Sequence, residues 1–126
     1  MLFKKHSRIY TAISSERKKS LYLFQRHAGI KSRNLELLNQ AFFHRSYANE
    51  NPESIGNNEK LEFLGDSILG LVVAERLYTL LPDKAEGELA RIKSFVVSEN
   101  SLAAIAQTIH LNDFILIGKG EEQSGG

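Results

Sequence analysis

The stretch from Asn58 to Tyr78 constrains the fold more than any other part of the sequence. From Leu61 to Tyr78 it is apolar almost all round a helical projection, and Pro82 stops it. A helix of that kind is one that a fold buries on most sides. Yet the same stretch carries Glu59, Glu62 and Asp66, spaced i, i+3 and i+7. At about 100° per residue these three carboxylates share one narrow stripe. Like charges on a buried helix repel one another and are expensive to desolvate. A hard divalent cation keeps them ionised, and Mg²⁺ in particular takes a few carboxylates plus water. The competing reading is that acids in the first turns complement the helix dipole. It accounts for Glu59 and Glu62, but not for Asp66, which lies two turns in. Gly65, between the acids, opens the backbone to close approach at a propensity cost of about 1 kcal/mol.

The remaining residues set limits on the class of protein. A length of 126 residues suits one domain. An apolar content of 42% with 25% charged residues excludes wholesale disorder. The absence of cysteine excludes a disulfide framework, a thiol nucleophile and a thiolate zinc site. No apolar run approaches the roughly 18 residues of a membrane span. The start, Met1-Leu-Phe-Lys-Lys-His, has no signal-peptide core. The expectation is a cytoplasmic chain with no membrane partner.

A net charge of +1 conceals an asymmetry: residues 1–33 carry +8, with Glu16 as the single acid, and residues 34–126 carry −7. Residues 1–19 read as a basic, flexible arm. Clustered Lys and Arg suit a polyanion partner, and equally a solvated terminus; charge alone does not choose. Helices are expected over Ser20–Ala28, ended by Gly29, and from an Asn34 cap through Leu35, Leu37, Leu38, Ala41 and Phe42. Turn chemistry fills Tyr47–Asn58. Further helices run from Glu59 to about Leu81, from about Gly87 to Phe95 behind Glu86 or Glu88, and to about Ile109 from a Ser98 or Asn100 cap. Gly118–Gly126 reads as a loop. No strand pattern appears, so the chain is expected to be all-α.

The segment Asn58-Glu-Lys-Leu-Glu-Phe-Leu-Gly-Asp66 resembles the signature of the ribonuclease III family, endonucleases that cleave double-stranded RNA. Ala41–Glu50, Glu86–Lys93, Val97–Ala103 and Gly118–Gly126 resemble the flanking family segments in the right order, so that the likeness covers roughly residues 20–126. The resemblance implies an all-helical endonuclease domain that forms a homodimer around a duplex-binding valley. It implies Mg²⁺, with Mn²⁺ as a substitute, and a part in processing rRNA precursors and other structured transcripts. By it, Glu62 matches a metal-binding carboxylate and Asp66 a catalytic one that also touches the metal. Glu59 and Glu86 match further valley acids, and Phe63 matches an aromatic that plugs into the partner subunit. Phe43 departs from the usual Thr. In the family a second acidic pair, Asp-x-x-Glu, follows the Ser-Gly-Gly loop, and a double-stranded-RNA-binding domain usually follows that. Neither lies within these residues. By the resemblance the chain is the first part of such a protein, truncated before the last helices of the domain, and is not expected to cut by itself.

Several other residues carry two readings each. His44 among aromatics suits a hydrogen-bonded structural role better than a general base. Lys119 between glycines suits a phosphate contact or an exposed loop lysine. Arg91 and Lys93 suit either countering the acids or touching the RNA backbone. The competing class is a non-cleaving, ribosome-associated RNA-binding scaffold on the same fold. Such a protein would be free to lose Glu59, Glu62 and Asp66, and all three are present. A helical protein-interaction module would explain a dimer surface but not the acid stripe.

Overall fold

The structure is a computed structural model and describes residues 12–51 and 56–125. Its helices are α1 (Ser15–Ala28), α2 (Leu35–Ala41), α3 (Arg45–Glu50), α4 (Glu59–Leu80), α5 (Glu86–Val96), α6 (Glu99–Thr108) and α7 (Lys119–Ser124). A 3₁₀ turn, Leu111–Asp113, precedes α7. No strand occurs among the described residues; one isolated parallel bridge joins Phe43 and Leu116. The all-α expectation holds. The chain divides into two compact units: residues 1–58 with 115–126, and residues 59–114.

In the first unit, α1 begins five residues earlier than the expected Ser20. Ser14 takes the N-cap, its side chain accepting from the Arg17 N–H at 3.0 Å, and Glu16 complements the helix dipole in the first turn. Ser15–Lys19, assigned from sequence to a flexible arm, are therefore helical; residues 1–11 of that arm lie outside the described residues. Gly29, at φ 66°, ends the helix as expected, with the Ile30 N–H donating to the Gln25 carbonyl at 3.0 Å. The inner face of α1 presents Leu21, Phe24 and Gln25, all buried. Phe24 meets Phe42 edge-on, with ring centroids 4.8 Å apart and an interplanar angle of 83°. The Arg17 guanidinium lies 5.6 Å from the Phe42 centroid and donates to the Asn39 side chain at 2.8 Å. Asn34 caps α2 by accepting from the Leu37 N–H.

Turn chemistry was expected from Tyr47, and a short helix, α3, forms there instead. The His44 ring supplies its cap: Nδ1 accepts from the Ser46 N–H at 3.2 Å and lies 2.7 Å from the Ser46 hydroxyl. His44 is thus the structural residue its neighbours suggest. Phe43 stacks at a tilt on Tyr47, centroids 5.5 Å apart, beside its bridge to Leu116.

The expected loop at Gly118–Gly126 is also a helix, α7, because α3 supplies the acceptors its first turn lacks. Glu50 accepts from the Lys119 N–H at 2.9 Å and the Gly120 N–H at 3.2 Å, and the Ser46 hydroxyl accepts from the Gly118 N–H at 2.8 Å. Position 118 must be glycine, since a Cβ there would stand 2.7 Å from the Ser46 carbonyl oxygen. The two backbone N–H groups, with the Lys119 charge adding less, hold the Glu50 carboxyl below its usual range. A depressed folded-state value means that the tie stabilises above the unfolded carboxylate range and is lost as pH falls through the lower folded value. The expected result is a melting temperature for Glu50→Gln below that of the unaltered chain at neutral pH, with the gap closing in strong acid. A constant gap across that range would contradict this assignment of the tie.

The second unit consists of α4, α5 and α6. Ala85 precedes α5, its N–H donating to Glu88 at 3.4 Å, and Ser98 caps α6 by accepting from the Ser101 N–H. Helix α5 returns antiparallel along α4: Lys93 lies against Gly70, and Glu86 shares a groove with Leu77 and Tyr78. One expectation fails here. No residue of α4 is buried, and Phe63, Leu71 and Tyr78 are 80%, 69% and 77% exposed. Helix α5 covers the side bearing Gly70 and Leu77, which leaves Leu64, Ile68 and Val72 on a bare apolar face, with Leu71 and Tyr78 exposed along its border with α5. Among the described residues no helix is long and apolar enough to cross a membrane.

Candidate metal and nucleic-acid site

Helix α4 is continuous from Glu59 through Asp66, so the three acids keep their expected stripe. Each is exposed. Glu62 and Asp66 stand one turn apart, with no hydrogen-bond or ion-pair partner among the described residues, whereas Glu59 makes an interaction of its own. Gly65 is open: nothing lies within 4 Å of where a Cβ would sit. Among the described residues no three His, Asp or Glu side chains are grouped to hold a metal. The stripe therefore offers a pair of hard oxygen donors, not a closed cage. A pair suits Mg²⁺, which keeps several waters and binds through one or two carboxylates.

The basic candidates separate in this arrangement. A methyl group at Gly70 would lie 3.5 Å from the Lys93 ammonium nitrogen. Gly70 is one turn beyond Asp66 on the same stripe, and Lys93, half-buried, lies against α4 at that point. Arg91 is exposed on α5, and Lys119 is exposed on α7 with its backbone N–H held by Glu50. Phe63 stands open to solvent, as a contact residue would.

Glu86 does not join Glu62 and Asp66 within this chain. It lines a groove of about 420 Å³ with Leu71, Leu77, Tyr78, Leu89 and Lys93. Leu77 lies eleven residues beyond Asp66, about 16 Å along the axis at ~1.5 Å per residue. Sequence reasoning missed Glu50 and Ser46, which fix the loop around Lys119. Their partners lie about 70 residues away, and no local pattern announces them.

Helical packing of this kind has close counterparts. The nuclease domain of ribonuclease III from Campylobacter jejuni, in a structure described for flexibility in the region involved in dimer formation, matches with a TM-score of 0.75 and 37% identity over 84% of this chain and 71% of that one. The fold is that of a ribonuclease III nuclease domain. A family model described as ribonuclease-III-like matches residues 34–126. Ribonuclease 3 of Treponema denticola is 48% identical over 118 residues, which is 94% of this chain and 48% of that protein. Ribonuclease 3 of Leptospira interrogans is 46% identical over all 126 residues, 51% of its length. The chain belongs to the ribonuclease III family. It spans about half the length of the curated relatives it matches.

Proposed function

We propose that the protein carrying this chain is an endoribonuclease that hydrolyses phosphodiesters in double-stranded RNA, with Glu62 and Asp66 as the ligands of Mg²⁺ or, in its place, Mn²⁺. The observation that carries this reading is the pair of exposed, unpartnered carboxylates one turn apart on α4, beside the open backbone of Gly65. When bound, the metal supplies a water acidified towards neutral pH and a Lewis acid for the leaving oxygen. Glu62 and Asp66 fix where that chemistry happens, and Gly65 leaves room for the sugar–phosphate backbone. Lys93 offsets the negative charge next to Asp66, which keeps the stripe from repelling the RNA outright. Glu59 and Glu86 add further acids to the binding valley.

Duplex RNA is the proposed substrate because the A-form is recognised by shape, 2′-hydroxyls and phosphates, with little need of base contacts. Precursors of rRNA and other structured transcripts in the cytoplasm supply such duplexes. A homodimer, seated on the bare face of α4 with Phe63 as an anchor, places two acid stripes on one duplex. A non-cleaving scaffold would leave Glu62 and Asp66 without a task.

The test is a cleavage assay of a long duplex with the full-length protein, in Mg²⁺ and in excess chelator. The duplex should be cut only with the metal, and either of its strands alone should be cut far more slowly. Equal cleavage of single strands, or cutting in chelator, would overturn the reading.

A further inference from the structure

Helix α1 gives the basic segment an ordered face. Leu21, Phe24 and Gln25 point inward, and Lys18, Lys19, Tyr22 and Arg26 occupy an exposed arc of about 100° that begins beside Gln25 and runs round to the outer side. Tyr22, 58% exposed, is flanked by Lys19 at i−3, Lys18 at i−4 and Arg26 at i+4. The single acid of the helix, Glu16, lies off this arc, and none of the three cations has a carboxylate partner among the described residues. Lys18 and Lys19 lie near the positive end of the helix dipole, where cations do not help the helix form. Arg17, by contrast, is occupied with Asn39 and Phe42. The stripe from Lys18 to Arg26 is ~12 Å long at ~1.5 Å per residue. That length spans several successive phosphates of one strand.

We propose that the outer face of α1 is an RNA-binding stripe, in which Lys18, Lys19 and Arg26 contact phosphates and the Tyr22 hydroxyl donates a hydrogen bond to the same strand. The identity of the polyanion rests on the ribonuclease reading; the stripe itself rests on the charge and exposure of α1. It is distinct from residues 1–11, whose Lys4, Lys5 and Arg8 add charge by sequence alone.

The test measures binding of a fluorescent 30-base-pair RNA to the full chain in chelator, across about 50–200 mM salt. The unaltered chain is compared with Lys18→Gln/Lys19→Gln/Arg26→Gln, with Tyr22→Phe, and with a chain lacking residues 1–11. Each phosphate contact contributes about 0.9 to the salt slope. The triple variant should therefore lose about two to three from that slope and bind at least tenfold more weakly at low salt, with its circular dichroism unchanged. Tyr22→Phe should weaken binding with the slope intact. Deletion of residues 1–11 should leave the loss caused by the triple substitution in place. An unchanged slope in the triple variant overturns the proposal. So does loss of binding to phosphatidylserine vesicles with RNA affinity intact, which would make the face a membrane contact. If the slope is unchanged while the full-length protein still cuts the duplex with metal, α1 alone is misassigned. If the unaltered chain binds no RNA, the proposal falls; the ribonuclease reading falls with it only if the full-length protein also fails to cut the duplex.

Discussion

Asp66→Asn in the full-length protein should lower cleavage of duplex RNA by about a thousandfold, ~4 kcal/mol at ~1.36 kcal/mol per decade. The substitution is nearly isosteric and falls on an exposed position of α4 with no partner to lose, so helix and fold should survive. What disappears is the negative charge of one of two neighbouring carboxylates that have no partner among the described residues. On the proposed reading Mg²⁺ is held through few protein ligands, so removing one should weaken both its binding and its placement. Duplex binding should be kept, or rise slightly, since an anion facing the phosphates has been removed. Single-turnover cleavage measured alongside fluorescence binding separates the two effects. Near-normal cutting in Mg²⁺ would show that Asp66 is not the ligand assigned here.

The second large effect is on stability. Phe42→Ala should cost about 3–5 kcal/mol, the usual range for deleting a buried aromatic ring. Phe42 is only 4% exposed and packs against the edge of Phe24 and under the Arg17 guanidinium. Among the described residues of the first unit few other side chains are buried, so there is little to close over the hole. Against a total of about 5–15 kcal/mol for a small domain, such a loss is a substantial fraction. Urea unfolding should show the midpoint falling steeply, with Phe42→Leu intermediate. An alanine variant within about 0.5 kcal/mol of the unaltered chain would mean that Phe42 is not part of a packed core.

Local chemistry was legible in the sequence, and long-range chemistry was not. Gly29, Asn34 and Ser98 end or cap helices as their residue types demand, because each acts on backbone within a few positions. The stripe of Glu59, Glu62 and Asp66 was legible for the same reason, since a helical period is a local property. That the three do not form a closed metal cage depends on side-chain aim, which spacing does not specify. The separation of Glu86 depends on how two helices run past one another. Helix α7 was missed because its first turn is satisfied by Glu50 and Ser46 from far upstream. Helix α3 was missed because its cap is a histidine, a residue seldom read as one. The burial expected of α4 followed from its composition, which reports what a helix needs and not what the surrounding residues supply.

The contacts of Glu50 and Ser46 with Gly118, Lys119 and Gly120 also order events in time. Residues 59–114 form one uninterrupted unit, set between the two segments that make up the other. During synthesis, α4, α5 and α6 are complete and can pair as near neighbours before residue 118 has been added. The clasp of α3 on α7 must wait: α3 emerges early, yet its partners arrive only about 70 residues later. Closing a loop of that length carries an entropy cost that grows only slowly with its size. Early pairing within residues 59–114 shortens the effective loop further. The hydrogen bonds from Glu50 and Ser46 therefore close the first unit late, across a loop of about 70 residues.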